Sequence, residues 1–298
     1  MRSWWIDNFF RMGKESEKSK ERKEKRAFLE NRSLLLEKLI ATCNGKCIPI
    51  RNFSIEELMR ANNNYDNCQS LGWYKGSLEG RIFFIRVFPG HEVWTRFVIH
   101  DLVISVRMSD HNNVLKPIGC CLDTRSPTLV NDFAANGTLA DRIHGTGDLQ
   151  GQQPLTWVSR LKIAREIAHV TSYLQTAFSR PIIHRSINIQ NIFLDKQDVP
   201  KLSTFGFSLT IPEGETHVDN NAVVAYPGYA PPEYKVTRNL TEKANVYSFG
   251  MLLPKLLTGQ HSYDKIRLRN DKYICLVAYM HNNAKVIAQM RLWILQCW

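Results

Sequence analysis

The sequence predicts a mixed α+β fold, and two patterns carry that prediction. Residues 81 to 87 form a short apolar run typical of a strand, Arg-Ile-Phe-Phe-Ile-Arg-Val. Further on, small and apolar residues recur at helical spacing, namely Leu161, Ala164, Ile167, Ala168, Thr171 and Leu174. With 298 residues and 44% hydrophobic residues, the chain can bury the core of one two-lobed domain or of two small ones.

Charge and cysteine content narrow the function classes. The formal net charge is +11, but a general excess of Lys and Arg identifies no partner until its location is known, and we expect no nucleic-acid partner. The seven cysteines show neither a paired framework nor zinc spacing, which indicates free thiols in a reducing compartment. Neither a membrane-spanning apolar run nor a signal-peptide core occurs, so we expect a cytoplasmic protein.

The first part of the chain allows two interpretations. Aromatic residues Trp4, Trp5, Phe9 and Phe10 precede the segment 14–26, which has seven basic and four acidic residues. Such a segment could touch an anionic bilayer, which would place the protein at the inner face of the plasma membrane. The alternative, to which we give more weight, is a solvated leader.

Two helices are predicted before the first strands. Apolar residues at helical spacing predict one helix from Ala27 to Leu39. Ser54 followed three residues later by Glu57 predicts a capping box and therefore a second helix start. We assign residues 1–52 to a basic leader with one helix, and residues 53–298 to the main domain.

The stretch from Ile182 to Asp195 contains His184, Arg185 and Asn191, and it resembles the catalytic loop of a protein kinase. In that family an aspartate after the His-Arg pair accepts the substrate hydroxyl proton, and an asparagine further on holds a magnesium ion. Ser186 takes the place of the aspartate, and Asn188 that of the lysine that often follows it. A serine hydroxyl is not acidic near neutral pH, so the resemblance implies a loop without its proton acceptor.

A second kinase motif is altered in the same sense. The family's Asp-Phe-Gly, whose aspartate binds magnesium, corresponds to Thr204-Phe205-Gly206. Asn191 could still offer an oxygen, but one neutral ligand without a carboxylate should hold magnesium poorly. Phe205 and His184, which stack in a hydrophobic column in kinases, are retained.

The kinase motifs that bind the nucleotide are altered too. Aligned on Trp73-Tyr74-Lys75-Gly76, the glycine-rich loop corresponds to residues 67–72 and keeps one glycine, Gly72. Arg86 stands at the position of the phosphate-pairing lysine of kinases. The alternative is a surface arginine whose charged end reaches solvent. The lysine's glutamate partner corresponds to Leu102, and Asp101, about 100° around the helix, is expected to face elsewhere. ATP and magnesium are therefore not expected as cofactors, and Arg86 and Asn191 are vestigial.

The later motifs support the same family. The activation segment ends at Pro231-Pro232-Glu233 and contains three candidate modification sites, Ser208, Thr210 and Thr216, which equally could be ordinary loop residues. Asn245 stands where an aspartate anchors the catalytic loop, and its amide oxygen can still accept a hydrogen bond. Pro254 falls inside the expected central helix, where proline destabilises the helix by about 3 kcal/mol unless the helix kinks.

Residues from about 53 to 260 resemble a plant receptor-like cytoplasmic kinase, and the Trp-Tyr-Lys-Gly element together with the altered catalytic positions is most similar to the ZRK pseudokinase family. The resemblance implies a two-lobed fold. A small, mainly β lobe covers about 53–130, and a larger, mainly α lobe covers about 131–298. The second lobe is expected to be curtailed, with a divergent tail from about 261 that is apolar enough to be helical.

In that family the implied role is an inactive adaptor or decoy in innate immunity. Its implied partners are a nucleotide-binding leucine-rich-repeat (NLR) immune receptor, active receptor-like cytoplasmic kinases and pathogen effectors. Two alternatives stay open. One is a weakly active serine/threonine kinase that uses Arg86 and Asn191, and the other is a decaying gene product, suggested by Pro254 and the C-terminal part.

Overall fold

The computed structural model describes residues 17–43, 50–62, 68–70, 72–88, 92–123, 127–145, 153–219, 229–259, 265–267 and 273–275. These residues fall into two compact units. Unit 1 contains the described residues up to Asp110 together with Leu115–Phe133, and unit 2 contains His111–Val114 and the described residues from Ala134 onward. Along the chain, unit 1 ends for the last time at Phe133, and Ala134 begins the longer part of unit 2.

Unit 1 is built on a six-stranded sheet in the order β1-β5-β6-β4-β3-β2. All neighbouring strands are antiparallel except β1 and β5, which are parallel. The strands are β1 (Arg51–Asn52), β2 (Cys68–Ser70), β3 (Trp73–Leu78), β4 (Arg81–Arg86), β5 (Pro117–Cys121) and β6 (Thr128–Asp132). The strand predicted from residues 81–87 is β4.

A tight hairpin sets the register of β3 and β4. Leu78 pairs with Arg81, so the turn residues are Glu79 and Gly80, both with positive φ, as the right-handed twist of such hairpins favours. The same register puts Trp73 directly opposite Arg86. The hairpin therefore fixes the surroundings of Arg86.

Three helices complete unit 1: α1 (Glu17–Cys43), α2 (Ile55–Ala61) and α3 (Glu92–Met108). The predicted capping box is confirmed, because the Glu57 amide donates to Ser54 Oγ and the Ser54 amide donates to the Glu57 carboxylate. Helix α1 is longer than the 27–39 predicted. It contacts α3, so the predicted boundary at residue 53 does not separate a leader from this unit.

Unit 2 is mainly helical. Its helices are α4 (Leu139–His144), α5 (Trp157–Thr176), α6 (Pro232–Thr237) and α7 (Lys243–Thr258). Helix α5 confirms the pattern predicted between residues 161 and 174, and it buries Ile163, Ala164, Ile167, Val170, Thr171 and Leu174. Helix α7 continues through Pro254, which is buried, although proline has no amide hydrogen to donate within the helix.

Unit 2 also contains short antiparallel pairs of strands between its loops. They join β7 (Ile182–Ile183) with β10 (Leu209–Thr210), β8 (Ile192–Leu194) with β9 (Pro200–Leu202), and β11 (Val218–Asp219) with β12 (Asn239–Leu240). A further pair, β13 (Lys265–Arg267) with β14 (Tyr273–Cys275), lies in the predicted divergent tail. The residues expected to be helical from 276 onward lie outside the described residues.

Two smaller predictions concern thiols and membrane spans. Cys120 and Cys121 are free and buried, and burial raises the pKa of each thiol to about 12. In the described ranges, none of the helices has an apolar run sufficient to cross a bilayer.

Candidate functional site

The loop predicted to be catalytic lies in unit 2, and Asn245 of helix α7 anchors it. Asn245 is 1% exposed, and its Oδ1 accepts a hydrogen bond from the His184 amide at 2.8 Å. Its Nδ2 donates to the carbonyl of Ile182 at 2.7 Å. The prediction that this amide can anchor the loop is confirmed, and the bond donated by Nδ2 is one that an ionised aspartate could not make.

His184 packs in the interior rather than facing a substrate. It is fully buried, and its ring contacts that of Phe205 edge-on, with centroids 4.7 Å apart. Burial lowers the pKa of His184 to about 3, an effect that a backbone hydrogen bond at Ser203 partly opposes. The imidazole is therefore neutral near neutral pH and serves packing, as the resemblance implies.

Ser186 and Asn191 are bonded to each other. The Nδ2 of Asn191 donates to Ser186 Oγ at 2.6 Å and to the Ser186 carbonyl at 3.0 Å. The Nδ2 of Asn188 donates to the same carbonyl at 3.1 Å. Ser186 is 6% exposed, and its hydroxyl takes part in a neutral, internal network.

Thr204 closes that network from the other side. Its Oγ1 donates to Asn191 Oδ1 at 3.2 Å and lies 3.2 Å from Ser203 Oγ. Ser203 in turn donates through its amide and its hydroxyl to the Asn191 carbonyl. Thr204 is 4% exposed with φ 68°, a backbone conformation that a β-branched residue rarely adopts. Packing of unit 2 must therefore hold this residue in place.

The Ser186–Asn191–Thr204 cluster is thus neutral and satisfied by its own hydrogen bonds. Both ends of the Asn191 amide are used inside the chain. Across the part of the chain that the structure describes, no group of three or more His, Cys, Asp or Glu side chains could hold a metal ion. A hard cation such as magnesium prefers charged oxygen ligands, and the cluster offers none.

In unit 1 the structure corrects the prediction for Asp101. Arg86 Nη1 donates to Asp101 Oδ2 at 3.1 Å, so Asp101 faces Arg86 and not elsewhere. The side chains are 11% and 3% exposed. The alternative of a surface arginine is also wrong, because this ion pair is buried.

Aromatic rings surround the same guanidinium. Its carbon lies 4.7 Å from the centroid of Trp73, 4.6 Å from that of Phe88 and 6.0 Å from that of Phe97. Burial lowers the pKa of Arg86 to about 10, while the charge of Asp101 acts in the opposite direction. Leu102, which was predicted to stand at the position of the glutamate, is 1% exposed and belongs to the core. The guanidinium of Arg86 therefore contacts aromatic rings and pairs with a carboxylate of its own unit.

The three candidate modification sites differ in accessibility. Ser208 is 2% exposed, and its hydroxyl donates to the Phe205 carbonyl at 2.6 Å, which argues against modification in this conformation. Thr210 is half-buried in β10. Thr216 is exposed, with its hydroxyl 3.2 Å from His217 Nδ1, and it remains the candidate that an enzyme could reach.

Some expectations lie outside the described residues, and some contacts were not predicted. Of the residues aligned with the glycine-rich loop, 67 and 71 lie outside the described residues, and 68–70 form β2. The carbonyl of Gly72 accepts a hydrogen bond from the Val87 amide. The aromatic rings around Arg86 and the part of Ser203 in the loop network were missed. The hairpin turn at Glu79-Gly80 could have predicted the contact of Arg86 with an aromatic ring, since the turn sets Trp73 opposite Arg86.

The chain is similar in sequence to known protein kinases and pseudokinases. The family described as protein tyrosine and serine/threonine kinase matches residues 96–298. In Arabidopsis thaliana, "Serine/threonine-protein kinase ZRK1" is 40% identical over 85% of this chain and 74% of its own length. "Non-functional pseudokinase ZRK2" is 42% identical over 83% and 71%, and "Non-functional pseudokinase ZED1" is 40% identical over 81% and 73%.

Proposed function

The chain belongs to the protein kinase family and within it to the ZRK family, and from this premise we propose that it is a catalytically inactive adaptor or decoy in plant innate immunity. It binds an NLR immune receptor and presents a kinase-like surface to pathogen effectors or to active receptor-like cytoplasmic kinases. Some relatives are named non-functional pseudokinases and others serine/threonine kinases, so membership alone does not decide activity.

The observation that carries the proposal is the neutral Ser186–Asn191–Thr204 cluster. Phosphoryl transfer needs a positioned base and a metal that neutralises charge on the phosphates. Removal of a catalytic base alone slows such reactions by about 10²- to 10⁴-fold. Here a hydroxyl bonded to Asn191 stands in place of the base, and Thr204 stands in place of a carboxylate.

The sheet-containing unit supports the same proposal. In active kinases the phosphate-pairing lysine also forms an ion pair with a carboxylate, so the Arg86–Asp101 pair alone does not argue against nucleotide binding. What argues against it is that Arg86 carries a planar guanidinium in place of a compact ammonium and that this guanidinium lies against the rings of Trp73 and Phe88. The ion pair also joins β4 to α3 without any ligand. Because helix α3 is held in place without a ligand, this unit suits a protein that acts by binding partners through its surface and not by catalysis.

The first test is nucleotide binding. We expect ATP with Mg²⁺ to leave the thermal unfolding midpoint of the purified chain unchanged, because the metal has no carboxylate ligand here. A ligand at about 100 times its dissociation constant would add roughly 2.7 kcal/mol, enough for a shift of several degrees. An active receptor-like kinase serves as positive control.

A weakly active kinase is the second candidate, favoured by Asn191, by the Arg86–Asp101 ion pair and by the name of the relative ZRK1. This candidate predicts a magnesium-dependent shift that Asn191→Ala abolishes. Such a result would overturn the inactive assignment. A sharp cooperative transition in the same scan would also exclude a decaying, unfolded gene product.

The second test is partner binding. We expect the purified chain to bind the leucine-rich-repeat region of at least one member of a panel of plant NLR receptors, with equal affinity with and without ATP and Mg²⁺. The cytoplasmic domain of a receptor-like kinase outside the ZRK family is the control and should not bind. Binding that requires nucleotide, or an entirely silent panel, would contradict the adaptor role.

A further inference from the structure

Helix α1 is held so that one face is fixed inward. Asn31 is 4% exposed and Leu35 is 9% exposed. The Nδ2 of Asn31 donates to the carbonyl of Leu122 at 3.0 Å, a contact between residues 91 positions apart. This buried hydrogen bond sets the rotation of the helix about its axis, and it therefore determines which residues face outward.

The outward face carries a line of large apolar side chains. Leu29, Leu36 and Ile40 are 58%, 57% and 69% exposed. They are seven and four residues apart in sequence, which places them within about 40° of arc, since successive helical residues are about 100° apart. Exposed apolar residues that align on one face, rather than scatter singly, indicate a contact surface.

The same face is basic and contains no carboxylate. Arg22, Lys25, Arg26 and Arg32 are exposed, and all four lie within about 60° of the direction of Leu29. Between residues 22 and 40 the helical step places no Asp or Glu in that sector, and the exposed Glu30 and Glu37 lie about 80° to 100° from the direction of Leu29. We call this sector, with its three apolar and four basic residues, the outer face of α1.

We propose that the outer face of α1 docks on an anionic lipid bilayer surface. A helix that combines an apolar stripe with Lys and Arg lies in the interfacial plane, where the stripe enters the headgroup region and the cations meet acidic headgroups. The exposed Arg26–Glu30 ion pair, 2.8 Å long, opposes this little because such pairs contribute little in water. The proposal does not rest on the proposed function.

A deformable bilayer fits this face better than a protein partner does. The apolar side chains of Leu29, Leu36 and Ile40 are separated along about 16 Å of helix, with charged residues between and around them. A lipid surface adapts to separated insertions and supplies negative charge everywhere. An acidic protein surface would have to match the spacing residue by residue, and it is the outcome that the experiment below must exclude.

The test is co-sedimentation of the purified full chain with vesicles of phosphatidylcholine alone or of phosphatidylcholine and phosphatidylserine in a ratio of about two to one. We expect binding to the anionic vesicles only. Arg22→Ala with Lys25→Ala should weaken it about 25-fold, since each cation contributes about fivefold, equivalent to about 1 kcal/mol. The matched control, Lys235→Ala with Lys243→Ala, removes two exposed cations from unit 2.

A second variant tests the apolar stripe. Leu36→Ser with Ile40→Ser should also weaken binding to anionic vesicles, whereas Val236→Ser, at a side chain 83% exposed in unit 2, should not. Equal losses in the Lys235 and Lys243 control would mean general attraction by the net charge and would overturn the proposal. So would wild-type protein that stays in the supernatant, in which case an acidic protein surface becomes the candidate for this face.

Discussion

Replacement of Asp101 by alanine is expected to lower the free energy of unfolding by about 3 to 5 kcal/mol, as loss of one partner from a buried ion pair does. The guanidinium of Arg86 would remain among Trp73 and Phe88 with its charge unpaired. Its pKa of about 10 keeps it protonated near neutral pH, so it cannot avoid the cost by losing a proton. Denaturant unfolding followed by tryptophan fluorescence measures the change.

The sheet supplies a matched control. Strand β4 contains a second arginine, Arg81, that pairs with Asp132 at 2.8 Å, but these side chains are 61% and 44% exposed. Asp132→Ala should therefore lower the free energy of unfolding by less than about 1 kcal/mol. Similar losses from Asp101→Ala and Asp132→Ala would show that burial of the Arg86 pair has no special importance.

A double substitution separates the charge from the packing. Arg86→Met with Asp101→Leu buries no charge and keeps apolar contact with the aromatic rings, so most of the stability lost in Asp101→Ala should return. Persistent instability in the double variant would instead mean that the ion pair gives the contact between β4 and α3 a geometry that apolar residues cannot reproduce.

The sequence could predict those parts of the fold that depend on local signals. Ser54 and Glu57 announce a helix start because each side chain caps the other's backbone amide, and the structure shows both bonds. The face of α5 follows from spacing alone. The extent of α1 could not be predicted in this way, because its charged first half has no apolar period and its placement depends on Asn31 bonding to a residue far along the chain.

The error at Asp101 has a physical cause. A count along the sequence put Leu102 at the glutamate position, and the 100° step of a helix then turned Asp101 away. The structure buries Leu102 in the core at 1% exposure, and the rotation of α3 follows from that packing. Asp101 then faces β4, where a long arginine can reach it. Core packing is a tertiary effect that spacing cannot reveal.

The positions that the resemblance marks as altered could be predicted because their motifs are contiguous in sequence, but the hydrogen bonds between them could not. Ser186, Asn191 and Thr204 form one network only because the loop folds back on itself. Thr204 also takes a left-handed backbone, with φ 68°, that its side chain disfavours. The resemblance thus predicts that neutral residues replace charged ones at these positions, and the structure shows that these neutral side chains are hydrogen-bonded to one another.

Replacement of Asn245 by alanine is the other change with a large expected effect, about 2 to 4 kcal/mol in the free energy of unfolding. The substitution leaves the His184 amide and the Ile182 carbonyl buried without their partner, and each such loss costs about 1 to 3 kcal/mol. Asn112→Ala, at an exposed loop residue of the same unit, is the control and should change stability by less than about 0.5 kcal/mol.

Asn245→Asp tests the two hydrogen bonds separately. An ionised aspartate keeps the bond from His184 but meets the Ile182 carbonyl with a negative charge, so the folded state should raise the pKa of the new carboxyl. A raised pKa in the folded state means that the loss of stability is largest above that pKa and is recovered as the pH falls through it. Denaturant unfolding at several pH values should therefore show Asn245→Asp gaining stability relative to the native chain on acidification, while Asn245→Ala shows no such gain. If both variants behave alike with pH, the bond donated to Ile182 does not stabilise the loop, and an aspartate at this position would serve as well.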